Sequence, residues 1–172
     1  MAILPLIYAP DPRLKVTSEP VRAVDDELRR LMDDMLATMH EAPGIGLSAI
    51  QVGVPKRVIV TDVSAEDAAP APHYLVNPEI VWFSDEGVVL NEGCLSLPEH
   101  FAEIERPERV RVDYLDYHGK AQSLEADGLL SRCIQHEFDH LDGILFVDHL
   151  STLKRNMILR KLVKAQRQKA SA

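Results

Sequence analysis

Cysteine is scarce in this chain: only Cys94 and Cys133 occur in 172 residues. Two thiols make no disulfide framework, so a metal or packing role is the expectation for each. Long apolar runs are also missing. None approaches the ~20 residues that cross a bilayer, which argues against a membrane span. The opening Met1-Ala-Ile-Leu-Pro-Leu-Ile-Tyr8 has no basic n-region and no small-residue cleavage site. A secretory leader is therefore not expected, and the cytoplasm is the expected compartment. Positive charge is in deficit, with 19 basic against 27 acidic side chains and a net charge of −8. That balance disfavours general nucleic-acid affinity.

What is present is ordinary globular composition, 46% apolar and 27% charged. There is no internal repeat and no linker, so the length predicts one domain spanning residues 1–172. The charge is unevenly placed. No acidic residue follows Asp148, while Lys154, Arg155, Arg160, Lys161, Lys164, Arg167 and Lys169 add seven positives to a chain otherwise at −15. Such a run is by default the solvated face of a helix, here backed by Leu150, Leu153, Met157, Ile158 and Leu162. In an acidic protein it also points to phosphate contacts.

Periodicity predicts an N-terminal amphipathic helix from Asp25 to about His40, through Leu28, Leu31, Met32, Met35, Leu36 and Met39. Pro43-Gly44 ends it. Val58–Val63, Tyr74–Phe83, Val88–Leu90 and Val110–Leu115 read as strands, with a partner strand around Ala121 to Leu124 after the His118-Gly119 turn. Pro78 predicts an edge or a bulge. A last helix starts near Leu150. The expected fold class is α+β: mostly antiparallel sheets packed around a central helix, with an N-terminal and a C-terminal helix.

That central helix carries Cys133-Ile-Gln-His136-Glu137-Phe-Asp-His140, an H-E-x-x-H motif. Positions four apart lie about 40° apart around a helix, so both imidazoles project from one face. They can occupy two corners of a tetrahedral metal, with Glu137 beside them as a base rather than a ligand. The helix is expected to reach back to Leu124 and to stop at Gly143.

A catalytic metal needs a third protein ligand and an open position. Cys133 shares the helix face, but it stands seven residues, roughly 10 Å, from His140, too far for three ligands on one straight helix. Cys94 comes from a separate loop shaped by Gly93 and Pro98, and is the expected ligand. Cys133 then reads as a small buried residue beside the pocket. Gly44-Ile-Gly-Leu-Ser-Ala-Ile-Gln51-Val-Gly53 lacks the lysine of a P-loop and the glycine spacing of a dinucleotide fingerprint. Its glycines allow close approach of backbone to a ligand. Gln51 is either a satisfied buried amide or a substrate hydrogen-bond donor.

Three blocks, Gly44–Gly53, Glu92-Gly-Cys-Leu-Ser-Leu-Pro98 and Gln135-His-Glu-Phe-Asp-His-Leu-Asp-Gly143, stand in an order and spacing that resemble the bacterial peptide deformylases. Pro10-Asp-Pro-Arg-Leu14 and Leu124–Leu130 extend the resemblance over nearly the whole chain. It implies hydrolysis of the N-formyl group from the formyl-methionine of new polypeptides, with release of formate. It implies one divalent metal, Fe²⁺ in cells, with Zn²⁺, Ni²⁺ or Co²⁺ able to substitute, held by Cys94, His136 and His140. Glu137 would be general base and acid, Gln51 and the Leu95 N–H would hold the formyl oxygen, and Gly46 would offer its backbone to substrate. Ile45, Leu129 and Cys133 would line the methionine slot, and Glu92 is grouped with the substrate-binding residues. The basic C-terminal helix would dock on the ribosome, as in some relatives. Two departures stand out: Ser48 where alanine is commoner, and Phe101 where many relatives carry arginine. Common zinc peptidases complete H-E-x-x-H with a downstream His or Glu, which the upstream Cys94 disfavours here.

Overall fold

The computed structural model describes residues 1–171. The N-terminal helix, α1 (Asp26–Glu41), begins where the Asp25 carboxylate accepts the Leu28 N–H at 2.9 Å, satisfying one free donor of the first turn. Leu28, Met32, Met35 and Met39 bury its apolar stripe. Seven strands follow: β1 (Gly46–Ser48), β2 (Val58–Thr61), β3 (His73–Phe83), β4 (Gly87–Cys94), β5 (Leu97–Pro107), β6 (Val110–Leu115) and β7 (Ala121–Ala126). Helix α2 (Gly128–Leu141) carries the H-E-x-x-H motif, and α3 (Thr152–Ser171) closes the chain.

All the strand pairings are antiparallel. Five strands form one sheet in the order β1-β2-β3-β6-β7, and β4 pairs with β5 in a second. The larger sheet is packed on both faces. Val58 and Val60 of β2 pack with the α1 stripe, while Ile59 packs with Ile134 and Leu141 of α2. This is why β2 reads as an unbroken apolar run rather than an alternation. A third cluster joins the N-terminal Ile7 and Leu14 to Leu97 and Ile104 of β5, Phe146, and Leu162 of α3. The expected bulge is present: the β3–β6 register shifts between Val76 and Glu79, around Pro78, which has no N–H for the ladder. Among the described residues no helix is long and apolar enough to cross a membrane.

Two expectations need correction. The motif helix does not reach back to Leu124. Leu124 and Ala126 pair with Val112 and Val110 in the sheet, and Gly128, at φ +54, turns the chain from strand to helix. The segment after Pro98, with no expected structure, is the long strand β5, whose exposed charged residues mask its inward Ile104.

A candidate metal centre

The ligand set comes from two elements. Strand β4 ends in a tight hairpin, Cys94 pairing with Leu97, so Cys94 stands at its tip. Helix α2 presents His136 and His140 one turn apart. The donor atoms of Cys94, His136 and His140 all lie within 4.8 Å of one another, with Cys94 Sγ 3.4 Å from His140 Nε2. Two ligands of a tetrahedral ion, one S and one N, stand about 3.5 Å apart, so the spacing suits a metal. Cys133 stays out of the cluster. Its Sγ donates to the Ile45 carbonyl at 3.4 Å, and burial pushes its thiol well up, keeping it protonated.

Glu137 completes the arrangement. Its Oε1 lies 3.7 Å from His136 Nε2 and 3.9 Å from His140 Nε2. Its Oε2 is buried and, among the described residues, has no hydrogen-bond partner. Orphaned buried carboxylate oxygens are costly, and a carboxylate that has one, with its other oxygen beside two imidazole donors, fits a metal and its reactants. Burial, with Glu92 adding repulsion, pushes the Glu137 carboxyl up to about 7 against the pull of His136. Burial lowers the His136 imidazole, but the Cys94 sulfur and then Glu92 outweigh it and hold it well up. Burial and the charge of His136 push His140 well down, leaving it neutral with a lone pair to donate.

The residues around this centre enforce its geometry. The His136 Nδ1 is 2.5 Å from Glu92 Oε1, which turns Nε2 toward the donor cluster. Glu92 in turn accepts a bidentate pair from Arg106, at 2.7 and 2.9 Å, and a bond from Arg132 at 3.0 Å. Burial raises its carboxyl, but Arg106 and His136 outweigh that and hold it far below the usual range. Arg106 also reaches Asp139 at 3.0 Å, and Asp139 reaches His149 at 2.9 Å. The expectation that Glu92 contacts substrate is thereby corrected. It borders the cavity, but both its oxygens are consumed beneath His136.

Gln51 is a satisfied buried amide, turned with its Nε2 toward Cys94. Its Oε1 accepts from the Ser48 N–H (2.9 Å) and hydroxyl (3.0 Å). Its Nε2 donates to Ser96 Oγ at 3.1 Å and lies 3.6 Å from Cys94 Sγ. Ser48 thus adds a second bond that fixes which end of the amide faces the cluster. Gly46 lies against the wall, where a Cβ would sit 2.6 Å from Cys133 Sγ and 2.9 Å from Glu137 Cγ. Gly46, Cys94, His136 and Glu137 open onto a cavity of about 610 Å³, lined also by Ile45, Leu95, Leu129 and Phe101.

The chain was compared with known proteins. Residues 3–156 match the family model described as polypeptide deformylase. The chain belongs to the peptide deformylase family. It is 55% identical to a peptide deformylase of Mesorhizobium japonicum, covering 99% of this chain and 97% of that protein. Identity is 57% to one of Phenylobacterium zucineum, over 95% and 97%. A crystal structure of peptide deformylase from Ehrlichia chaffeensis superimposes with a TM-score of 0.94 at 44% identity, covering 98% and 99%. A second, in complex with actinonin, gives 0.93 at 46%, over 97% and 99%. The chain is accordingly an enzyme of this family, with a Cys-His-His set able to hold the metal.

Sequence reasoning missed Arg106, Arg132 and the real place of Glu92. One signal was available. Glu92 and Cys94 are two apart on a strand, so both project from the same face, and a carboxylate beside a metal ligand is a natural partner for a ligating histidine.

Proposed function

We propose that this enzyme removes the N-formyl group from the N-terminal formyl-methionine of newly synthesised polypeptides, releasing formate, in the cytoplasm where those chains are made. The observation that carries the reading is Glu137, a buried carboxylate on the motif helix whose Oε1 lies 3.7 and 3.9 Å from the two histidine donors and whose Oε2 has, among the described residues, no hydrogen-bond partner. Cys94, His136 and His140 would hold one divalent metal. A thiolate with two imidazoles suits Fe²⁺, our assignment in cells, and also Zn²⁺, Ni²⁺ or Co²⁺, over Mg²⁺ or Ca²⁺. Such an ion supplies Lewis acidity that lowers the pKa of water from 15.7 to about 7.

The remaining work belongs to the protein. Glu137 takes a proton from the attacking water and delivers it to the amine nitrogen as the C–N bond breaks. A carboxyl near 7 matches a group that must both accept and return a proton at neutral pH. The Gln51 Nε2 and the Leu95 N–H donate to the formyl oxygen as it gains charge, each worth about 2.7–4 kcal/mol in comparable acyl-transfer sites. Strand β1 is the outermost strand of its sheet, so Gly46 offers unpaired main chain to an extended peptide. Ile45, Leu129 and Cys133 form the slot for the methionine side chain. Actinonin, bound by the Ehrlichia chaffeensis relative, is expected to occupy the same cavity.

The test is formate release from formyl-Met peptides by anaerobically purified, metal-loaded enzyme, with Glu137→Gln alongside. A loss of about 10²–10⁴-fold in the variant, with metal retained, supports the assignment. Undiminished turnover refutes it. We also assign the exposed basic face of α3 to ribosome docking. Removing residues 152–172 should abolish cosedimentation with ribosomes at low salt, and persistence would refute that role.

A further inference from the structure

Asp62, the residue after β2, is 6% exposed, and its only ion-pair partner among the described residues is His40. Its Oδ1 accepts from the Ser64 hydroxyl at 2.6 Å, the Ser64 N–H at 3.1 Å and the Ala71 N–H at 3.4 Å. Its Oδ2 faces His40 Nε2 at 2.9 Å. His40 stands in the last turn of α1, with its side chain 42% exposed. One carboxylate thus ties together the end of α1, the end of β2 and the far side of the loop 62–71.

The backbone of Asp62 carries this anchorage to the cavity wall. Its N–H donates to the Ile45 carbonyl at 2.9 Å, which also accepts from Cys133 Sγ at 3.4 Å. Ile45 lines the cavity and immediately precedes β1, a strand of three residues paired on one side only. The Ile45–Gly46 peptide is trans and planar, so its C=O and N–H point opposite ways. Holding the Ile45 carbonyl toward β2 therefore holds the Gly46 N–H away from β2, out of the free edge of the sheet.

We infer that His40 and Asp62 form a positioning pair for the substrate main chain, clamping the Ile45–Gly46 peptide so that the Gly46 N–H is aimed before a peptide arrives. This rests on the deformylase reading above, in which Gly46 offers its backbone to substrate. Neither side chain lines the cavity or belongs to the donor cluster, so the pair acts through Ile45 and not on the reacting atoms. A donor already aimed spares the cost of ordering it on binding. The contact it makes is the same in the ground and transition states, and loss of such uniform binding raises KM at constant kcat.

The experiment measures kcat and KM for formyl-Met-Ala-Ser with metal-loaded His40→Ala, His40→Gln and Asp62→Asn, alongside amide hydrogen exchange by NMR. His40→Ala should raise KM about fivefold, the scale of one hydrogen bond, with kcat within about twofold. Asp62→Asn should do the same, and His40→Gln, which keeps a donor, should restore KM to within about twofold of the unmodified enzyme. Exchange of the Asp62 N–H should quicken about fivefold in His40→Ala while the β4–β5 ladder holds its protection. An unchanged KM in His40→Ala overturns the inference, and so does a fall in kcat with KM held. His40 is half in water, so this variant decides the matter even where Asp62→Asn fails to fold. If the unmodified, metal-loaded enzyme releases no formate from any formyl-Met peptide, the deformylase reading has failed. The exchange measurement then judges the clamp by itself, and an Asp62 N–H unaffected by His40→Ala overturns it.

Discussion

Replacing Glu92 with glutamine would test the buried framework under the metal centre. The substitution keeps the volume and removes one charge. Arg106 and Arg132 are only 5% and 7% exposed, and Glu92 pairs with both while holding His136. Breaking a buried pair from one side leaves an uncompensated charge, at about 3–5 kcal/mol. For a domain of this size that is a fall in Tm of roughly 6–20 °C. Loss of the carboxylate partner of His136, a proposed metal ligand, should weaken metal affinity a further ~10–100-fold. The sign with pH follows from the depressed Glu92 carboxyl. Its stabilisation is complete above the ordinary value of 4.5 and disappears as pH falls through the lowered one. The gap between wild type and Glu92→Gln should therefore be widest near neutrality and narrow in acid. Urea unfolding across pH, with metal competition against a chelator, measures both effects. A gap under about 1 kcal/mol, or one independent of pH, would refute the reasoning.

Three further substitutions probe the surroundings. Gly46→Ala should cost about 1–3 kcal/mol of stability, since its Cβ would strike Cys133 and Glu137; it should also lower kcat/KM by about tenfold or more, and unchanged kinetics would mean the wall yields. Ser48→Ala removes one of two bonds to Gln51 Oε1, so about 1 kcal/mol and roughly fivefold in kcat are expected, with KM held; a change confined to KM would contradict a positioning role. Burial raises the Asp62 carboxyl, but bonds from Ser64, then His40 and Ala71, hold it at about 2. Its stabilisation is full above 3.8 and is lost as pH falls toward 2, so Asp62→Asn should flatten acid unfolding in that window, as followed by circular dichroism.

How much was legible before the coordinates depended on how locally each feature is encoded. Helix α1 declares itself because its stripe repeats at helical spacing and its cap lies next to it. The candidate metal cluster was readable because helical geometry disfavours Cys133 and leaves Cys94, whose sulfur the fold brings to the two histidines. The Leu124–Ala126 error has a physical cause: three residues of weak pattern were claimed by pairing with β6, a partner invisible to a local window. Strand β5 hid for a related reason, since only one of its faces packs inward. The ion-pair framework was the least accessible. Glu92, Arg106 and Arg132 are far apart in the chain, and an arginine in a sequence reads as surface until the fold supplies its partner.

The tip of the β4–β5 hairpin places a proposed metal ligand and a proposed oxyanion donor on consecutive residues, Cys94 and Leu95. Their separation is therefore governed by the dimensions of one peptide unit, not by side-chain packing. Any drift of this tip carries both together, so thermal motion or a distant mutation can translate the pair but can scarcely misalign its members. The Gln51 amide is mounted on a different segment and follows the tip through its hydrogen bond to Ser96, so its alignment with the Leu95 N–H rests on that contact.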